Sequence, residues 1–504
     1  MDILGKVIGV FSPEIAYKRA AFKRALLELE RSMSYDGASH SNVNSNTNWY
    51  AANIPAAWQD AGARDTLRAR ARDLERNSDV MNAIVGAYKR NVYGAGIRLR
   101  SKAESPEICE RIEKAWEIWC KKENCDVTGT QSFDSLMRMA IRRKKVDGGI
   151  LFIKTHTDGG FMKFKLQALE VDALDDTATG RGSNRIIGGI EYDAYNKAIG
   201  YHIRQFSPDG LTETEPKFYP AKDVIFYFTK NRPTQLREVS DLAATITRVR
   251  DINEFMRALA VKERLLACLS IFIKRDSPPT TGRTYGGPED GYAGKTISPG
   301  TINYLSPGDD ISVVQPNMQA TDATAHIKQQ IRMLGSGQGL SYELASRDMS
   351  ETNYSSARQG AIEDDLTFEE ERQQLMDVMD EIYETFVREL FLENKLFESG
   401  APEERNFFNK LNEYTRHKWI KSPKKWIDPA KEAAANKDAL LTGQKTFADM
   451  AAENGKDWQE QLEEMARVKD YASELGIDLT GQLLGERKEG IAENEEKQTG
   501  TDDE

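Results

Sequence analysis

Apolar residues recur at three- and four-residue steps along most of the chain, and breaks in that rhythm divide it into modules. Residues 14–31 read as an amphipathic Ala/Leu helix carrying Lys18, Arg19, Lys23 and Arg24, followed over 32–48 by a Ser/Asn-rich linker or mobile arm. A helical block from about 55 carries Arg64, Arg68, Arg70, Arg72 and Arg76 interleaved with Asp65, Asp73 and Glu75, a pattern open to phosphate contact or to pairing along the helix surface. Gly94 and Gly96 then turn the chain into a short strand, and Cys109 to Trp119 resumes a helix.

Between 146 and 230 the period shortens to that of strands. Gly149 to Lys154, Phe161 to Leu169, Ile186 to Asp193, Ala198 to Arg204 and Asp223 to Phe228 form β-type runs separated by turn residues, which predicts an antiparallel or mixed β module. From Thr234 to Ser277 neither Gly nor Pro occurs. Leu242, Ile246, Val249, Ile252, Met256, Leu259, Leu266, Leu269 and Ile273 keep mostly helical steps there, with Ser240 or Asp241 as N-cap candidates. The spacing predicts one helix over about 240–270, a rod of roughly 45 Å at 1.5 Å per residue, with Cys268 to Ile273 turning toward a strand.

Residues 276–300 hold four Pro and six Gly, so they form an extended excursion rather than a helix. Short strands are expected at Thr301 to Leu305 and Asp310 to Val314, a second helix over about 322–334, and a turn at 335–339. A very long helix follows from Ser355 to about Phe397. Leu366, Leu375, Met379, Ile382, Phe386 and Leu390 make its buried stripe, and twelve acidic against three basic residues over 361–395 predict an acidic face opposite. The chain from Asp428 is again helical and ends in an acidic tail expected to be disordered.

Composition narrows the class. The 504 residues allow about three modules, and 39% hydrophobic with 30% charged residues supports packed cores. The mean hydropathy of −0.60 suggests thin or elongated modules with much wetted surface. Cys109, Cys120, Cys125 and Cys268 are too sparse for a disulfide framework, which points to a reducing compartment. Neither a signal peptide nor a membrane span is expected, because Asp2 and Pro13 flank the first apolar stretch and no uncharged run approaches about 20 residues. The formal charge of −11 argues against a protein that grips duplex DNA through phosphate neutralisation.

Catalytic signatures are missing from the sequence. No P-loop, H-E-x-x-H or G-x-S-x-G motif occurs, and His40, His156, His202, His326 and His417 lack metal-ligand spacing. Cys120 and Cys125 have no second pair, and Asp172, Asp175 and Asp176 read as a solvated loop in preference to a magnesium site. A metal-dependent nuclease or a head-maturation peptidase is the rival reading from another class. The chain reads as a mechanical part, neither an enzyme nor the holder of a cofactor.

Several stretches resemble the lambda-type portal family of phages. They include residues 67–100, 132–153, 166–203 (LQALEVDAL and GGIEYDAYNKAIGYHI) and 220–240, then ISPGTINYLSPGDDI (297–311), DMSETNYSSARQG (348–360) and 426–460, and the resemblance as a whole extends over about 15–470. Glu238 departs from the pattern, the family more often having Gly after the Gln-x-Arg pair. The resemblance implies an α+β portal fold with long stem helices, a mixed α/β wing, a small β-containing clip and a helical C-terminal crown. Carried onto this chain, it gives an N-terminal helix and arm over 1–60, wing over 61–235 and 355–425, and stem helices over 236–275 and 321–340. The clip covers 276–320, the tunnel loop 341–354, and the crown with its tail 426–504.

The resemblance further implies a twelve-subunit ring at one capsid vertex, assembled in the host cytoplasm and carried in the virion, through which double-stranded DNA passes without sequence specificity. Implied partners are the terminase large subunit, the major capsid and scaffolding proteins, and head-completion or adaptor proteins. Glu343, Arg347, Asp348, Ser350, Glu351 and Asn353 are the expected DNA-facing residues of the tunnel loop. Arg347 either contacts phosphate or pairs with Asp348 or Glu351 to stiffen the loop. Arg283, Tyr285, Glu289, Asp290, Tyr292 and Lys295 are the expected docking residues of the clip.

Overall fold

The computed structural model describes residues 53–178, 184–204, 215–267, 271–275, 309–313, 321–350, 352–397, 402–421 and 429–477. The chain divides into two units, Met1–Gln59 and Asp60–Glu504, and the helices and strands from Arg64 onward belong to the second. The expected helix over 14–31, the linker over 32–48, the strand at Thr301 to Leu305 and the acidic tail lie outside the described residues.

Helices α1 (Arg64–Asn77) and α2 (Asp79–Val92) are separated by Ser78, whose side chain accepts from Met81 N and so caps α2. Strand β1 (Arg98–Ser101) leads to α3 (Pro106–Trp119) and α4 (Phe133–Asp147). Ser132 caps the start of α4, and Gly148 closes its end with φ of 92°. A Cβ on Gly148 would meet the backbone of Val239 at 2.5 Å, so the position needs glycine for its conformation and for the close approach.

The β module contains two antiparallel sheets. Strands Gly149–His156 (β2), Phe164–Leu169 (β3) and Val224–Phe228 (β8) form one, in the order β3-β2-β8. Strands Arg185–Ile187 (β4), Ile190–Tyr192 (β5), Ala198–Ile203 (β6) and Lys217–Pro220 (β7) form the other, paired in chain order. The single run expected at Ile186 to Asp193 is therefore a hairpin, because Gly188 and Gly189 both take positive φ and fold it in half. Lys217–Pro220 carries no apolar alternation, so its sequence gives no strand signal.

The helix expected over about 240–270 is shorter. Residues 241–245 form turns, α5 spans Ile246–Ala267, and strand β9 (Ile271–Arg275) pairs antiparallel with β10 (Asp309–Val313). The 236–275 segment is thus turn, helix and strand. Ser240 spends its hydroxyl on Leu242 N, which holds the turn and delays the helix. Helix α6 (Thr321–Gly337) returns, and α7 (Tyr342–Ser346) precedes α8, which runs without interruption over Tyr354–Leu392.

Leu375, Met379, Ile382, Phe386 and Leu390 of α8 are fully buried, as the stripe predicts, but Leu366 is 62% exposed. They join a core in which Trp119 stacks on Phe164 with ring centroids 5.3 Å apart, and Trp116 meets Phe133 and Phe386 at 5.1 Å each. Helix α8 therefore re-enters the core laid down by α2 to α4, and α5 and α6 bound an insertion whose ends, together with α7, join that core through Ile246, Val249, Leu334 and Ala345. Strand β11 (His417–Ile420) pairs with β1 and closes it. Helices α9 (Pro429–Leu441), α10 (Phe447–Glu453) and α11 (Trp458–Glu474) follow, as the C-terminal periodicity predicts.

Candidate functional site

The insertion is rooted in a buried charge cluster. Lys144 and Lys145, consecutive residues in the last turn of α4, each reach one oxygen of Glu371 on α8 at 2.6 Å. Both also lie beside Asp241, at 3.1 and 3.2 Å, where the chain leaves for α5. Two cations and two carboxylates balance within one pocket. Burial works against the ionised Glu371, but the charges of Lys145 and Lys144 outweigh it and hold its pKa below the usual range. Lys145 Nζ lies 3.9 Å from the centroid of the Tyr88 ring, whose hydroxyl donates to the carbonyl of Gln338 beyond α6. Gln338 in turn donates to Thr245 Oγ1 at 3.0 Å and to the Asp241 carbonyl at 3.3 Å. The start of α5 and the end of α6 are thereby tied to the same point.

A second network surrounds Glu238, whose side chain is fully buried. Arg237 donates to it at 2.7 Å and Arg68 at 3.2 Å, with Arg64 Nε at 3.9 Å. The residue that departs from the family pattern is thus the central anion of three arginines. Asp176 lies 2.7 Å from Arg237 and 3.1 Å from Arg64, Asp172 lies 2.6 Å from Arg72, and Asp175 lies 2.6 Å from Arg204. The acidic loop is bound to arginines instead of solvated, and Arg64, Arg68 and Arg72 are spent on internal ion pairs. Among the described residues no group of three His, Cys, Asp or Glu side chains is arranged to hold a metal ion.

The acidic face expected on α8 is present, with Glu363, Glu370, Asp377, Glu381 and Glu384 exposed, but several carboxylates of the helix also hold neighbouring elements. Glu371 serves the lysine cluster, Asp364 accepts from Ser341 N and Oγ at 2.6 Å, and Glu381 meets Lys154 at 2.7 Å. Asp380 accepts from Trp419 Nε1 at 2.6 Å and faces His417 Nε2 at 2.9 Å.

Of the expected loop residues, most hold the loop itself. Asp348 accepts from Ser350 N at 3.0 Å and Ser350 Oγ at 2.6 Å, and these bonds, with that from Tyr342, pull its pKa down. Glu343 accepts from Thr352 Oγ1 at 3.1 Å, and Asn353 caps α8 through Ser356 N at 2.8 Å. Glu351 lies outside the described residues, as do Arg283, Tyr285, Glu289, Asp290, Tyr292 and Lys295. Arg347 closes α7 in the left-handed conformation, φ of 59°, and is exposed. It makes no ion pair with Asp348, and burial together with the charge of Arg347 lowers the pKa of Arg90 on α2. The expected loop over 341–354 begins with the short helix α7, which Ser341 caps through Leu344 N.

Beyond its root the insertion is thinly covered. Ile246, Val249 and Ile252 of α5 are buried, but no described side chain from 253 to 264 is; Met256, expected in the stripe, is 46% exposed. Helix α6 touches α5 through Phe255 and His326, with ring centroids 5.1 Å apart, and through Arg248 and Gln330 at 2.8 Å.

Residues 43–372 match the family described as phage portal protein, lambda family. A relative from Halomonas phage phiHAP-1, described as a probable portal protein, is 25% identical over 82% of each chain. Portal protein B of Escherichia phage lambda is 21% identical over 79% of this chain and 82% of its own. Among solved structures, a chain from the virion of a native gene transfer agent particle covers 81% of this chain and 96% of its own at 13% identity, with a TM-score of 0.45.

Proposed function

Because the chain belongs to the lambda family of phage portal proteins, we propose that its copies close into a ring of twelve around a channel for double-stranded DNA at one capsid vertex. The family is structural, not enzymatic, and its members are components of the virion. The observation that carries the ring is the thin cover of α5, where Met256 and Val261 are exposed on different sides of a helix none of whose described side chains from 253 to 264 is buried. A 22-residue helix gains most of its stability from packing an apolar face. Neighbouring copies supply that packing, and an interface between unlike faces closes into a ring when the rotation per step is right.

In this reading α5 and α6 line the stem, and the loop from Arg347 to Asn353 stands nearest the DNA. The excursion between β9 and β10 meets the terminase large subunit during packaging and head-completion or adaptor proteins afterwards. The wing body meets major capsid and scaffolding proteins, and assembly takes place in the host cytoplasm. Most arginines of α1 and α4 are committed to internal carboxylates, so this part of the wing has few cations left for phosphate to bind. Native mass spectrometry and negative-stain imaging of the purified chain test this. A closed ring with a central hole is expected; a monomer that persists at tens of micromolar overturns it.

A further inference from the structure

The three C-terminal helices bury almost nothing of their own. Among the described residues of α10 and α11 the only buried side chains are Ala451 and Ala472, with Asp457 at the cap between them, and no described side chain of α9 is buried. Their apolar residues are present but uncovered. Glu464, Arg467, Val468, Tyr471, Ala472, Leu475 and Ile477 line a shallow, open groove of about 460 Å³ along one face of α11 and its C-terminal end. Tyr471 is 64% exposed within it. At the other end of the same helical region Leu441 terminates α9 and is 76% exposed, more than any other aliphatic side chain among the described residues. The chain turns away immediately after it through Gly443, at φ of 72° and with open space around the position.

We propose that the groove receives the Leu440–Leu441 corner of α9 from a second copy of this chain. Knob and groove occupy different parts of one molecule, so the contact is between unlike surfaces and propagates from copy to copy, the geometry a ring requires. Charge fits the same occupant. One turn before Leu441, Lys437 and Asp438 are both exposed, and the groove lining offers Glu464 and Arg467 as opposite partners. Tyr and Arg lining an apolar groove are among the side chains that most often carry an interface. Intramolecular contact is no substitute, because Leu441 stands free of its own chain at that exposure.

This proposal rests on the ring reading, and the test separates the two. The full chain carrying Leu441→Cys with Val468→Cys is assembled and oxidised, with each single variant as control and Leu441→Cys with Leu475→Cys as a second pair. Opposed cysteines bridge only when their Cβ atoms come within about 4.5 Å. The expected result is a ladder of covalent multimers extending to the full ring in a double variant and absent from both singles. Rings that form without any ladder overturn the groove contact alone, whereas the absence of rings overturns the ring itself. Truncation after Ile477 is expected to leave the ladder intact. A ladder that needs residues 478–504, or a bridge found only within single chains, also overturns the proposal.

Discussion

Lys145 Nζ lies 2.6 Å from Oε1 of Glu371, a residue 226 positions further along the chain. That contact fixes the long helix α8 to the last turn of α4 at the point where the insertion departs. Removing one partner of a buried ion pair strands the other, at about 3–5 kcal/mol. Glu371→Gln is therefore expected to lower the thermal unfolding midpoint markedly at fixed protein concentration, whereas Lys145→Met combined with Glu371→Leu recovers part of the loss. Equal destabilisation by the single and the double variant would show that the charges themselves contribute nothing.

Glu238 gives a sharper version of the same test, because three arginines converge on it. Glu238→Ala is expected to cost about 3 kcal/mol or more, leaving Arg64 and Arg237 to share Asp176 while Arg68 falls back on Asp65 and Asp172. Glu238→Gln, which keeps an acceptor, is expected to cost less. Urea unfolding monitored by tryptophan fluorescence checks the ranking, and a neutral Ala variant would contradict it.

His417 predicts the pH dependence. Its Nδ1 faces the Thr415 carbonyl at 2.8 Å and its Nε2 faces Asp380 at 2.9 Å, so both nitrogens meet acceptors and the charged imidazolium satisfies both. Burial alone would lower its pKa, but the Asp380 bond, the Thr415 carbonyl and the charges of Asp380 and Glu384 outweigh that, and the net shift is upward from 6.5. Stability from this group is complete below the unfolded value and lost as pH rises through the folded value. Asp380 runs the other way. Its pKa is held down despite burial, by His417 and Trp419, so its contribution fades on acidification through that lowered value. The wild-type midpoint is expected to fall between pH 6.5 and the higher folded pKa more steeply than that of His417→Gln; identical slopes would show that His417 contributes nothing to the pH dependence.

Arg347 is the exposed cation of the loop, while Asp348, Glu343 and Asn353 are engaged in holding it. Arg347→Ala is expected to leave ring assembly intact and to change DNA packaging or retention. Packaged genome length and capsid DNA content measure this, and no change in either would leave the residue without a role there. Asp348→Ala should instead loosen the loop, read as increased protease cleavage between 342 and 354.

Regular elements are legible in the sequence where one face is continuously apolar. The stripe of α8 from Leu375 to Leu390 is readable because it packs on a thick core, whereas Leu366 and Met256 obey the same spacing and stand exposed. Periodicity reports amphipathicity, and it does not say whether the covering surface belongs to the same chain. The internal charge networks are hidden for a related reason. Asp65 pairs with Arg68 at the local spacing the sequence offers, but Glu238, which also meets Arg68, and Glu371, which meets Lys144 and Lys145, lie far away in sequence, and nothing local distinguishes them from solvated carboxylates. Strand β11 is illegible because four residues with His and Lys among them carry no strong apolar signal of their own. Resemblance locates the loop residues, but their roles become visible only through their hydrogen bonds.

The pairing of β1 with β11 sets the order in which this body can fold. Arg98 pairs with Ile420 and Ser101 with His417, so one edge of the ribbon leaves the ribosome long before the other. At about 5–20 residues per second, β1 waits tens of seconds for its partner, with its backbone donors and acceptors open to other chains. Nascent subunits on one polysome are therefore exposed to mispairing until residue 420 has emerged. A chain interrupted anywhere within the insertion leaves that edge permanently unsealed, which makes truncated subunits candidates for aggregation or degradation before they can join an assembly.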